Sequence, residues 1–384
     1  MGACLKNAVM FIACRFRYAP SNCQSGSDRP AKAGPAAHFD RNERYAYFGD
    51  RTLAKVVKQM ESPPMVSVVV TVYNRIRFLR FALQSILEQT FRSFEIIVTD
   101  DANNPETKSI CDSFRQPKIR YRFNASPLGV AQNLRVAISQ TGGRYVAILN
   151  DDDTWEPDFL ELLVAPLENS PERILAFGDH WIMHEDGQID VHRTTENTAR
   201  YRRNTLPEGE MRDWQARVVL ENTIPLAMAA MFRKDAVNWD LLVQEVAGAY
   251  DFWISCLLAS SGRPAYYVPR RLSRYRIHSS METARKAVNK NENMIFIYAR
   301  LIELNLFPRL EASLRRRYRE ALFVCGKDCL LFNRLPKGRE YFLRSLKACL
   351  NGKALGGLVL TCLPRRFRTV CLRALTQQRV SELV

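Results

Sequence analysis

Three largely apolar runs, each closed by polar or acidic residues, constrain this chain more than any other feature of its sequence. Val66-Ser-Val-Val-Val-Thr-Val72 leads into Tyr73-Asn74-Arg75, Glu95-Ile-Ile-Val-Thr99 into Asp100-Asp101, and Tyr145-Val-Ala-Ile-Leu149 into Asn150 to Asp153. Apolar runs without alternation are the pattern of strands buried on both faces. Between and beside them, Phe78 to Gln89, Ile110 to Phe114 and Val130 to Gln140 have helical spacing, and Ile119 to Phe123 reads as a further short strand. Strands alternating with helices imply a parallel sheet covered on both faces. In such sheets ligands sit outside the carboxyl ends of the strands. The three polar clusters stand at those ends, so they are expected to converge on one crevice.

Beyond the third run, Pro157 to Leu167 reads as a helix. Ile174 to Phe177 and Trp181 to His184 read as the strands of a hairpin, with Glu185-Asp-Gly187 as a turn signal. Arg193 to Arg212 is polar and without periodicity, so it reads as irregular. A helix is expected from Asp213 to Glu221 and another from Asp251 to Ser260, followed by strands at Tyr266 to Val268 and Arg274 to Ile277. From Ala287 onward the spacing is helical, with breaks near Pro308, Pro336, Gly352 and Pro364. The resulting division is a poorly ordered leader at 1–63 with a short helix from Asp50 to Met60, an α/β domain at 64–285, and a basic helical region at 286–384.

At 384 residues and 47% hydrophobic content the chain can bury two cores. Its charge is uneven: from Arg300 onward 18 Lys/Arg face 6 Asp/Glu, so that segment holds +12 of the net +16. Clustered Lys/Arg is attracted to an anionic membrane, a phosphorylated substrate or nucleic acid alike. The sequence has no groove-reading motif or aromatic stacking platform, so a nucleic-acid partner is not expected. The longest apolar run, about nine residues around Leu355 to Leu363, is well short of a membrane span. Met1 to Cys14 lacks a cleavage site and Lys6 departs from the myristoylation pattern, so neither export nor a lipid anchor is expected. The ten cysteines are scattered through apolar runs, which points to reduced thiols and a cytoplasmic protein. Cys325 and Cys329 have no second Cys/His pair beside them and read as one face of a helix, not a zinc site.

Asp151-Asp152-Asp153 directly follows a buried strand, where unpaired carboxylates would cost several kcal/mol. A cationic partner is expected. Oxygen donors without His or Cys alongside suit Mg²⁺ or Mn²⁺ bridging carboxylates to substrate phosphates. The competing reading is a solvated acidic turn in which Asp153 caps the following helix. Asp100-Asp101 ends a second buried strand and strengthens the case for a site, although Asp101 with Asn103 also suits an Asx-turn.

The stretch from Val66 to about Leu162 resembles family 2 glycosyltransferases of the GT-A fold, of the bacterial surface-polysaccharide type. The resemblance rests on Val68 to Asn74, Leu83-Gln-Ser-Ile-Leu-Glu-Gln-Thr90, Phe94 to Asp101, Leu128-Gly-Val-Ala-Gln-Asn133, Gly142-Gly-Arg-Tyr145 and Leu149 to Trp155. It continues more weakly through Tyr250-Asp-Phe-Trp253 and Tyr275-Arg-Ile-His278. It implies a mostly parallel, Rossmann-like α/β sheet with helices on both faces, followed by the helical region. It further implies that Thr71, Tyr73 and Asn74 line a nucleotide pocket, that Asp100 or Asp101 bonds a uracil-type base, and that Asn133 orders the site. The family's Asp-x-Asp element falls within Asn150 to Asp153, with Asn150 where the first acid usually stands. Its register is open between Asp151 with Asp153, and Asp152 as direct metal ligand with Asp151 near the donor; Asp152 is taken first. Asp251 is the implied general base, although the acid often found two positions earlier is here Ala249, and Asp251 also suits a helix N-cap. His278 is implied at the metal or diphosphate, with Arg274 or Arg276 beside it.

The Gln-x-x-Arg-Trp signature of processive synthases is absent. The expected activity is therefore non-processive, inverting, Mn²⁺- or Mg²⁺-dependent sugar transfer from a nucleotide-sugar, probed first with UDP-sugars, to a saccharide or polyprenyl-linked acceptor. Asn150 and Ala249 leave a second reading, an impaired sugar-nucleotide-binding relative or scaffold.

Overall fold

A computed structural model of the chain describes residues 63–278, 287–348 and 352–364, together with 366 and 368. Residues 1–62, where the leader and its short helix are expected, lie outside them. The first half follows the strand and helix grammar: β1 (Val66–Val72), α1 (Ile76–Leu87), β2 (Phe94–Asp100), α2 (Pro105–Ser113), β3 (Ile119–Phe123), α3 (Val130–Ser139) and β4 (Tyr145–Asn150). β1 pairs in parallel with β2 and β4, and β2 with β3. The register sets Thr71 opposite both Thr99 and Asn150, and Val72 opposite Asp100, so the polar strand ends stand level with one another.

The sheet then extends past β4. After β5 (Thr154–Trp155) and α4 (Phe159–Glu168) come β6 (Leu175–Met183), α5 (Val191–Arg200), β7 (Gly209–Met211), α6 (Gln215–Val219), α7 (Leu226–Ala229), β8 (Ala230–Arg233), α8 (Tyr250–Ser260) and β9 (Ala265–Arg276). The strand order is β3-β2-β1-β4-β8-β6-β9-β5, with β7 paired to β9. β8 runs antiparallel to β4 and β6, whereas β6 and β9 are parallel.

Three local segments fold differently from expectation. The hairpin at 174–184 is a single strand, β6, and the polar Gly178-Asp-His180 that interrupts its apolar pattern is a register shift against β9. Gly178 is required there because a Cβ would lie 2.8 Å from the Arg270 carbonyl oxygen. The turn at 185–187 leads into α5, within the segment read as irregular. That helix starts where the Asp190 side chain accepts from Arg193 N at 2.9 Å. It buries Thr194 and Thr198 in place of an apolar stripe, and Thr194 Oγ1 accepts from Ile182 N. The two late strand segments likewise form one strand, β9.

One apolar layer joins Val66, Val68, Val70 and Val72 to α1 and α4; the other joins Val69, Ile97 and Ile148 to α3, α6 and α8. The chain closes with α9 (Ala287–Glu303), α10 (Glu311–Leu331), α11 (Leu335–Ala348) and α12 (Gly352–Leu360). Ile297, Leu301 and Leu314 pack into the second layer, so α9 and the start of α10 complete the α/β core. A smaller core gathers Leu322, Cys325, Cys329 and Tyr341, with both thiols free and buried on one helix face. No described helix is long and apolar enough to cross a membrane.

Candidate active site

The acidic turn emerges from β4 beside the end of β1. Asp151 and Asp153 are fully buried and Asp152 is 6% exposed, so each carboxylate needs a partner. Arg75 supplies two of them: Nη2 lies 2.8 Å from Asp151 Oδ1, and Nη1 donates to Asp152 Oδ2 at 2.8 Å. Tyr73 N donates to Asp151 Oδ2 at 3.4 Å, and His278 Nε2 stands 3.1 Å from Asp152 Oδ2. Asp153 accepts from Arg276 N at 2.9 Å and from Asn150 Nδ2 at 3.1 Å. It therefore ties the turn to β9 and does not cap the next helix, which begins at Phe159. Burial pushes the Asp151 carboxyl up to about 8 against the pull of Arg75, with Asp152 adding to the rise. Burial, then Asp152, likewise raises Asp153 well above the carboxylate range.

Asn150 is the joint of this turn. Its Oδ1 accepts from Tyr250 Oη at 3.1 Å and lies 3.5 Å from Thr71 Oγ1, while its amide donates to Asp153. An aspartate would accept the same bonds but, when ionised, has nothing to donate. The departure from the family's first acid is thus matched by the surrounding bonds. Through Tyr250 the turn also reaches α8, whose first turn carries Asp251. Asp251 is half-buried, and its Oδ1 accepts from Phe252 N at 2.8 Å.

At the end of β1, Thr71 is buried while Tyr73 and Asn74 are exposed. Asn74 adopts φ 56°, a left-handed conformation that asparagine tolerates, and it turns the chain so that Arg75 folds back over the acids. Asp100 and Asp101 are both buried and bonded to their own loops. Asp100 accepts from Ala102 N, Asn104 N and Tyr121 Oη at 2.9, 2.8 and 3.1 Å. Asp101 accepts from Asn124 Nδ2, Leu128 N and Gly129 N, each at 2.8 Å. The Asx-turn of this loop is therefore made by Asp100 with Ala102, and Asp101 anchors the loop before α3. Asn133 Oδ1 accepts from Thr99 Oγ1 at 2.5 Å and from Asn124 Nδ2 at 2.8 Å, clamping the ends of β2 and β3 to α3.

On the far side, Arg274 makes a two-pronged pair with Glu156 at 2.8 and 3.1 Å. Arg276 donates to the carbonyls of Asp152 and Glu185 at 2.9 and 3.0 Å, and its guanidinium stacks on Phe78 at 4.8 Å. Both arginines hold the framework. The His278 ring sits 5.0 Å from Phe78 and borders a cavity of about 490 Å³ shared with His184, Glu185, Asp186, Arg193 and Ile277.

Among the described residues, no three His, Cys, Asp or Glu side chains are placed to hold a metal ion by themselves. Asp151 and Asp152 nevertheless converge on one cation, the Arg75 guanidinium, and Asp151 Oδ1 is buried without an aligned hydrogen bond. This donor set fits Mg²⁺ or Mn²⁺ of the kind that takes one or two carboxylates from protein and its remaining ligands from phosphates and water. Arg75 and Tyr250 are the residues that sequence reasoning did not assign to the site; the only signal for Arg75 was its place in the polar cluster after β1.

Residues 67–237 match the family model "Glycosyl transferase family 2". A Haemophilus influenzae protein described as an uncharacterized glycosyltransferase is 26% identical over 254 residues, 62% of this chain and 75% of that one. Glycosyltransferase GlyG of Streptococcus pneumoniae is 33% identical over 101 residues, 26% of this chain and 34% of its own length. The chain therefore spans three quarters of the first relative and about a third of the second. Among solved structures, S. aureus TarS 1-349 in complex with UDP-GlcNAc superposes with a TM-score of 0.56 at 14% identity, covering 77% of this chain and 90% of that one.

Proposed function

The chain carries a family 2 glycosyltransferase domain of the GT-A fold, and from that premise we propose that it transfers one sugar at a time from a nucleotide-sugar, by metal-dependent inversion. The observation that carries this reading is the pair of buried carboxylates, Asp151 and Asp152, meeting a single cation at the carboxyl end of β4. Asp152, the more accessible of the two and in contact with His278, is the principal ligand for Mn²⁺ or Mg²⁺; Asp151 stands behind it. Such an ion stabilises the negative charge that develops on the leaving diphosphate.

The remaining roles belong to the chain's own residues. Thr71, Tyr73 and Asn74 line the nucleotide pocket at the end of β1. Asp100, Asp101 and Asn133 shape its base end through the loops they hold. Asp251, next to Tyr250 in the first turn of α8, takes the proton from the acceptor hydroxyl as that oxygen attacks the anomeric carbon. A UDP-sugar is the first donor to test, supported by the UDP-GlcNAc bound to the S. aureus neighbour. The acceptor we propose is a saccharide or a polyprenyl-linked saccharide of cell-surface polysaccharide synthesis, with the basic helices resting on the inner, anionic face of the membrane. The alternative reading is an impaired sugar-nucleotide-binding relative or scaffold, for which Asn150 and Ala249 are the two sequence departures.

A panel of nucleotide-sugars, assayed for metal-dependent release of nucleoside diphosphate, tests this directly. Asp152→Ala should lower release at least about a hundredfold without unfolding the protein. Asp251→Asn should lower turnover by a comparable factor while nucleotide binding persists. Release at the wild-type rate by Asp152→Ala would remove the metal role.

A further inference from the structure

Arg75 occupies an unusual place for a residue at a metal centre. It is the residue before α1, yet its side chain makes no capping bond to that helix. Its guanidinium instead spans Asp151 and Asp152, 2.8 Å from each, while its side chain remains 25% exposed. It contacts one oxygen of each carboxylate, Asp151 Oδ1 and Asp152 Oδ2.

We propose that Arg75 is a tethered counter-ion of this turn: it neutralises Asp151 and Asp152 when no divalent ion is present, and swings to the donor diphosphate when one binds. The proposal rests on the reading of the site as a metal-dependent nucleotide-sugar centre. A guanidinium and a divalent cation compete for Asp152 Oδ2, which His278 Nε2 also approaches at 3.1 Å, because two positive charges held at one oxygen repel each other. The partial exposure of Arg75 gives it a way out toward the crevice. Once displaced, its planar fork suits a diphosphate, whose paired oxygens accept two parallel N–H bonds. The same side chain thus disfavours the ion alone and favours the ion together with nucleotide. This couples the two binding events, and coupling of this kind is reciprocal.

Isothermal titration of the full chain separates the outcomes. With Mn²⁺ alone, Arg75→Gln should bind on the order of tenfold more tightly than wild type, since the competing charge is gone. With Mn²⁺ saturating, the same variant should bind UDP on the order of tenfold more weakly. A thermal melt of Arg75→Gln matching that of wild type shows that the gain comes from the folded variant. Arg75→Lys, which keeps the charge, should stay near wild type for Mn²⁺ alone. Mn²⁺ binding by Arg75→Gln no tighter than wild type, or an equal gain in Arg75→Lys, would overturn the proposal while leaving the metal-dependent reading intact. Wild-type protein that binds neither Mn²⁺ nor UDP would overturn both.

Discussion

His180 is 4% exposed on β6, its Nδ1 3.7 Å from Asp179 Oδ1. Asp179 is itself held by Arg203 Nε at 2.7 Å and Thr198 Oγ1 at 2.6 Å. Burial, reinforced by the Arg203 charge, pulls the imidazole down to about 3 despite Asp179, so it remains neutral in the folded protein. In the unfolded chain the same group titrates near its ordinary value of about 6.5. Between those values the unfolded state holds a proton that the folded state refuses. The stability this represents is fully present above about pH 6.5 and is lost as pH falls toward 3. Between pH 7 and 4.5 wild type should lose roughly 2 to 3 kcal/mol more than His180→Gln in urea unfolding. Equal losses would show that His180 is not the group responsible. The triple-aspartate turn was legible from sequence because its acids are contiguous after a buried run. Arg75 and Tyr250 were not, since their roles depend on a folded-back side chain and on a contact between residues 150 and 250. The loop bonds of Asp101 were not legible either, since its partners at Asn124, Leu128 and Gly129 lie more than twenty residues on.

Among the elements, the apolar strands β1, β2 and β4 were read almost as they fold, because burial on both faces leaves little choice of partner. The helix α5 was missed for a physical reason: it buries threonine hydroxyls against Asp179 and Ile182 N, so its packing face has no apolar signature. β6 and β9 were each read as two strands because register shifts between them interrupt the apolar pattern. In the helical region small residues set the packing. Phe342 is fully buried with its ring against Gly326 of α10 and Gly357 of α12, where an added Cβ would lie 2.6 and 2.4 Å from the ring. Gly326→Ala gains helix propensity worth about 1 kcal/mol but forces a buried ring to move, at about 1 to 3 kcal/mol. The net effect should be destabilisation. Gly356→Ala, one residue from Gly357 and with nothing within 4 Å, gains the propensity alone. Thermal melts should move in opposite directions for the two variants, and a rise for Gly326→Ala would refute the packing account.

At the scale of the whole molecule, charge and exposed apolar surface coincide. The segment from Arg300 onward holds +12 of the +16 net charge. Among the described residues, large exposed hydrophobics gather there too: Leu331, Phe332, Leu343, Leu355 and Val359 are 48–63% exposed. Leu355 and Val359 are one helical turn apart on α12, so they share a face. Apolar side chains set among basic ones bind an anionic bilayer by two additive effects, insertion of the apolar groups and attraction of the charges, and salt weakens only the second. This supports the membrane contact proposed for the helical region and makes it separable from simple stickiness. The full chain should co-sediment with vesicles containing anionic phospholipid at about 0.15 M salt and much less with phosphatidylcholine alone. Raising the salt to about 1 M should release most of it, because the Debye length falls to roughly 3 Å. Leu355→Asp with Val359→Asp should weaken binding at both salt concentrations, since it removes the inserted surface itself. Equal binding to neutral vesicles would reduce the basic surplus to a solvated surface, and a double variant that binds like wild type would place the contact on another face of these helices.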